Sequence, residues 1–145
     1  MRIVRILVSW LIAVIVTTVG ISVIHSLRIQ GNLAELGVEL PMGLRLSTIG
    51  RDLAGLAPTL GPVVAIALAI GFAIAAFLRP RLPSLAWMAY PLAGAAAIVV
   101  ALVAMKFSYD ITPIAGARGP LGLPLSALVG AVGGWIFAWR IKTRA

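Results

Sequence analysis

The chain has 145 residues, 61% hydrophobic and 11% charged, with a mean hydropathy of +1.10 and no cysteine. A charged fraction this far below the roughly one quarter of soluble domains places it in a membrane, and the missing thiols exclude disulfides and thiolate metal sites. The formal net charge of +8 does not point to nucleic acid, because the basic residues flank apolar runs instead of forming a stripe with interleaved aromatics.

Four runs are long enough to cross a bilayer as helices, which takes about 20 residues because an unpaired backbone group in hydrocarbon is costly. They predict an all-α membrane protein, a four-transmembrane-helix antiparallel bundle that forms one integral membrane domain over residues 1–145. The first span, residues 6–26, follows Arg2 and Arg5. Its length predicts a retained helix, not a removed leader. Thr18, Ser22 and His25, the single histidine, fall within about 60° of one another on this helix. Thr and Ser in such a position bond back to their own helix carbonyls, and His25 at the outer end reads as a capping or interfacial residue, with ligand binding as the sharper alternative.

The connection over 27–59 is the longest. Leu36, Val38 and Leu40 alternate with Gly37 and Glu39 after a turn expected at Gly31-Asn32, a short period-two pattern that predicts an edge strand. Further on, Leu46, Ile49, Leu53 and Leu56 share one helical face, with Arg45 and Asp52 away from it and Ser47 or Thr48 as the starting cap. This reads as an outer amphipathic or re-entrant segment, which Pro58 and Pro62 bend into the second span.

The second span, 60–79, carries Gly61, Ala65, Ala69 and Ala73 at every fourth position, a small-residue face expected to pack on a neighbouring helix. Ala67, Gly71 and Ala75 mark a second, weaker face, expected to pack within the same bundle, with docking of a partner subunit as the sharper alternative. LRPRLPS then makes a tight turn, with Pro80 and Pro83 ending one helix and Ser84 capping the third span, 84–106, which adds Ala93, Ala97 and Ala101. The connection over 107–120 holds Asp110 and Arg118 among prolines and glycines, where the two are expected to pair and close the loop, or one of them to meet the opposite charge of the first loop, Arg51 or Asp52. In the fourth span, 121–140, Gly122, Ser126, Gly130, Gly134 and Ala138 form a continuous small ridge for helix packing.

Charge sets the expected orientation. Arg2, Arg5, Arg79, Arg81, Arg140, Lys142 and Arg144 fall on one side with no acid, whereas five bases and all four acids fall on the other, which predicts both termini cytoplasmic in a bacterial-type inner (plasma) membrane. Trp10, Trp87, Trp135 and Trp139 lie toward the same cytoplasmic end as an interfacial belt; an aromatic wall around a ligand, with Met88 and Tyr90, is the alternative.

No charged residue lies near the centre of a span, which argues against a pump or ion channel. The chain lacks a phosphate loop, a HExxH sequence, a nucleophile elbow and a second histidine, so no catalytic residue, metal or cofactor is expected, and a non-enzymatic role is favoured. The expected function is an accessory or assembly subunit of a larger membrane complex, bound to a membrane protein partner or a second copy of itself. The alternative is a lipid or hydrophobic small-molecule binding or transport protein. Arg45, Arg51, Asp52, Asp110, Arg118 and His25 are the candidate ligand or partner contacts, and membrane lipids are the expected surroundings.

Overall fold

The computed structural model describes residues 1–109 and 121–142. Four helices account for nearly all of them: α1 (Arg2–Glu35), α2 (Met42–Leu78), α3 (Ala89–Tyr109) and α4 (Gly122–Lys142), with a single 3-10 turn at Pro83–Leu85 before α3. All four are long and apolar enough to cross a membrane. Each packs chiefly on two others, α1 on α2 and α4, and α3 on α2 and α4, which closes a ring.

The helices differ in length. With 34 and 37 residues, α1 and α2 reach about 51 and 55 Å, against about 32 Å for the 21-residue α3 and α4. Much of the expected 27–59 loop is therefore helix, and the true connection is residues 36–41. No strand forms at 36–40, and no strand occurs among the described residues. The reason is local. Gly37 adopts φ 80°, its N–H donates to the Ala34 carbonyl at 3.0 Å, and the Val38 N–H donates to the Leu33 carbonyl at 3.1 Å. This is the left-handed glycine stop that closes a helix, so Gly37 ends α1 where the alternation of leucines suggested an extended strand.

The start of α2 also differs from expectation. Pro41 precedes it, and the Thr48 hydroxyl donates to the Leu44 carbonyl at 2.8 Å inside the helix instead of capping its end. Pro58 and Pro62 lie in the helix interior. Each removes one backbone donor, yet the helix continues through both. After α2, Arg81 donates to the Phe77 carbonyl at 3.1 Å and lies 3.8 Å from the Phe77 ring centroid, which satisfies the helix end and stacks a cation on an aromatic face. Ser84 lies in the 3-10 turn, which has no side-chain cap, and α3 begins five residues later than Ser84.

The core is built from a four-residue stripe on α2, Leu60, Val64, Leu68 and Phe72, against Ala13, Val14 and Ile21 of α1 and Ile98 and Leu102 of α3. α4 contributes mostly glycine. A Cβ at Gly130 would strike the Gly94 carbonyl, and one at Gly134 would strike the Tyr90 carbonyl, so α3 and α4 meet backbone to backbone. Gly133 lies against the Thr17 hydroxyl of α1, and a Cβ at Gly20 would stand 2.6 Å from Val129. On α2 the close approach is made by Gly71, where a Cβ would stand 3.0 Å from both the Ala93 carbonyl and the Ala97 methyl. Nothing lies within 4 Å of that position at Gly61, and Ala69 and Ala73 are exposed.

Candidate functional site

Small side chains can admit a backbone or leave a space. At the end of the bundle that holds the N-terminus they leave a space. A cleft of about 920 Å3 opens there between α1 and α2. One lip is Ile6, Leu7 and Trp10 of α1, the other Ala69, Ala73 and Ala76 of α2, and five of these six side chains are exposed, so the cleft opens sideways. Arg2, Arg5 and Arg79 stand at its outer rim.

The back wall is aromatic. Phe72 of α2 stacks on Phe137 of α4 with centroids 4.3 Å apart and planes 21° apart; Tyr90 of α3 meets Phe137 edge-on at 5.1 Å and Phe72 at 5.9 Å. All three are buried, and such contacts hold a rigid surface with little side-chain freedom left to collapse into the opening. The Arg79 guanidinium carbon lies 5.8 Å from the Tyr90 ring centroid, a cation over an aromatic face at the rim. The cleft thus grades from cationic at the edge to apolar inside.

The opposite end has a second polar cluster. Ser26 donates to an Asp52 carboxylate oxygen at 2.7 Å, and Gln30 donates to the Arg45 backbone carbonyl at 3.2 Å. Both bonds tie α1 to the early turns of α2. His25 is buried beside Ser26, within electrostatic reach of Asp52. Asp52 and His25, two of the residues singled out in the sequence, are thus brought together, Arg45 contributes its backbone, and Arg51 is exposed. Asp110 and Arg118 lie outside the described residues, so the proposed pair between them does too. Among the described residues no group of three acids or histidines is placed to hold a metal.

Between the two ends, α1 buries a row of hydroxyls. Those of Ser9, Thr17, Thr18 and Ser22 have no hydrogen-bond partner, and Thr17 sits over Gly133. These residues serve by being small, letting α1 approach the glycine face of α4. Ser126 on α4 instead donates to its own Gly122 carbonyl at 2.9 Å.

The aromatic residues divide by position. Trp87, Trp135 and Trp139 are exposed on the outer surface, while Trp10 and Tyr90 face the cleft. The residues that make the cleft were legible individually but not as a site. Arg2, Arg5 and Arg79 carry the signature of topology-setting charges, and Ala69 and Ala73 that of packing. A usable signal was the pairing of Phe72 and Phe137, large rings in helices otherwise rich in alanine and glycine.

No family model matches the sequence, and neither a curated protein nor a solved structure matches the chain.

Proposed function

We propose that this protein is a multi-pass membrane protein that binds a hydrophobic or amphiphilic molecule in the cleft between α1 and α2. The observation that carries this reading is the cleft itself: a space of about 920 Å3 with a fixed aromatic wall and one lip of alanines. That volume lies within the range of small-molecule sites, about 300 to 1,000 Å3. In hydrocarbon no hydrophobic force closes such a space, so an apolar guest competes only with lipid chains for it.

The test is to fill the space. Ala73 is exposed, so Ala73→Phe puts a ring into the cleft without entering the core. Native mass spectrometry of protein extracted in mild detergent should show a bound hydrophobic species on the original chain and at least about tenfold less on the variant, at equal thermal stability. A chain that carries no such species, or a variant that retains all of it, overturns the reading.

Sidedness and handedness belong to the same proposal. The paired positions Tyr90 with Gly134 and Gly94 with Gly130 support an antiparallel α3–α4 pair, and Thr17 with Gly133 and Gly20 with Val129 support the same for α1–α4. Among the described residues, six bases and no acidic side chain at the cleft end support a cytoplasmic location for both termini in a bacterial-type inner membrane. The early turns of α2 then form the outer amphipathic extension. An accessory-subunit role is the second reading. It is favoured by an apolar groove of about 590 Å3 along α2 and α3, where Gly71 and Ala97 lie at the bottom and Ile66, Ile70 and Ile74 are exposed. A protein that co-purifies in fixed ratio and is lost with Ile70→Trp would support it.

A further inference from the structure

We infer that residues 42–59 of α2 form a hinged arm, which unclasps from α1 by bending at Pro58 and Pro62; the structure holds it clasped. The first observation is how the arm is held. α2 buries Leu60, Val64, Leu68, Phe72 and Ala75, and no residue before Leu60. Val63 and Ser108 line the same groove, so α3 stops near the level of Val63 and the arm runs on beyond it along α1. There the two helices meet through polar groups. α1 buries His25, Ser26 and Gln30 on this stretch, and the joining bonds run from Ser26 to Asp52 and from Gln30 to the Arg45 carbonyl. Ile49, Leu53 and Leu56 of the arm are half-buried. Hydrogen bonds exchange for bonds to water at small net cost, whereas a fully buried apolar stripe does not come apart so easily.

The second observation is the make-up of the helix. Residues 42–62 contain Gly43, Gly50, Gly55, Gly61, Pro58 and Pro62, whereas residues 63–78 contain Gly71 and no proline. Glycine and proline are the two residues least favourable to a helix interior, so each calls for a reason. On α4 the reason is close packing, since a Cβ at Gly130 or Gly134 would strike another backbone. The four glycines of 42–62 have no such reason: among the described residues nothing lies within 4 Å of a Cβ at any of them. Their effect is on the backbone alone, which they leave easier to bend or unwind.

The third is the placing of the prolines. Pro58 cannot donate to the Ala54 carbonyl, nor Pro62 to that of Pro58, so two successive helical bonds are missing. Ala54, Pro58 and Pro62 recur at a spacing of four and are all exposed, on the face turned away from the core stripe that begins at Leu60. A helix without two neighbouring bonds on one face bends there more readily than elsewhere. The hinge thus falls at the boundary between the packed and the unpacked part of α2. On one side of it the core holds the helix. On the other the arm swings, and in doing so turns Ser26, Gln30 and the Asp52 carboxylate to water.

The chain has no cysteine, so spin labels go to introduced cysteines alone. Two pairs are compared in nanodiscs by double electron resonance: Leu27→Cys with Leu46→Cys across the arm, and Leu11→Cys with Ile70→Cys on the packed side of the hinge, all four positions being exposed. The second pair should give one narrow distance. The arm pair should add a longer distance, which Ser26→Ala with Gln30→Leu raises on the order of tenfold relative to the shorter one. Ser26→Ala alone should produce part of that rise if the double variant does not fold. Pro58→Ala with Pro62→Ala, placed in the unclasped background, restores both missing donors and should return the arm to the shorter distance. A single arm distance that the loss of both clasp bonds leaves unchanged overturns the arm. A longer distance that survives the proline replacements places the bend elsewhere and overturns the hinge. Equal broadening of the pair on the packed side would mean that α1 and α2 part along their whole length, which overturns it too.

Discussion

Adding one methyl group at Gly130 tests the α3–α4 interface at its tightest point. A Cβ there strikes the Gly94 carbonyl oxygen and stands 2.7 Å from Ile98 Cγ1, whereas carbon atoms pack best about 3.5 to 4.0 Å apart. The obstruction is backbone, which has no rotamer to change, so Gly130→Ala must separate the helices by on the order of 1 Å. A gap of that size forfeits a quarter to a half of each affected contact, and overpacking of this kind costs about 1 to 3 kcal/mol. Alanine recovers up to about 1 kcal/mol through its higher helix propensity, so the net loss is about 1 to 2 kcal/mol and that of Gly130→Leu is larger. Gly55→Ala supplies the reference. It lies inside α2 with nothing within 4 Å, and should gain about 0.5 to 1 kcal/mol from the same propensity term. Thermal unfolding in detergent, followed by circular dichroism, should therefore separate the two variants by about 5 to 10 °C. Leu128→Ile, at a side chain 62% exposed on α4, should behave nearly as the unaltered protein. Equal melting temperatures for Gly130→Ala and Gly55→Ala would refute the close approach and, with it, the closed side of the bundle.

Two further outcomes are expected. Ser26→Ala removes the hydroxyl donor of the half-buried Asp52 carboxylate and should cost about 1 to 2 kcal/mol in the same melt; a loss below about 0.3 kcal/mol would mean that the bond is not made. A reporter fused after residue 142 should be cytoplasmic and one inserted at Asn32 external, and the reverse pattern would overturn the sidedness drawn from charge.

The four spans were legible because length and apolarity alone determine them, and the α4 ridge was legible because Gly122, Ser126, Gly130 and Gly134 recur at helical spacing. The cleft was not. An alanine that admits a neighbour and an alanine that leaves a space look the same in one dimension, so the Gly61, Ala65, Ala69 face read as packing throughout, whereas Ala65 packs against the core, Ala69 lines the cleft and the close contact on α2 falls at Gly71. The rim arginines obey the same charge rule whether or not they hold a ligand. In the first connection, Gly37 proved a helix stop, and three alternating apolar residues were too few to distinguish a strand from the end of a helix. The bond from Ser26 to Asp52 joins residues 26 positions apart and depends on how two long helices lean together, which no local pattern encodes.

The aromatic wall has a consequence for biosynthesis. Chains are made from the N-terminus, and membrane helices insert before they associate. The two lips, on α1 and α2, are therefore laid down first, with three arginines and no floor between them. Tyr90 arrives with α3, and Phe137 and Ile141 arrive with α4, the last helix to be translated. Until then the lips face open bilayer and can hold nothing in place. On the binding role proposed above, the wall is assembled helix by helix from Phe72 through Tyr90 to Phe137, and the site is complete only when the fourth helix docks.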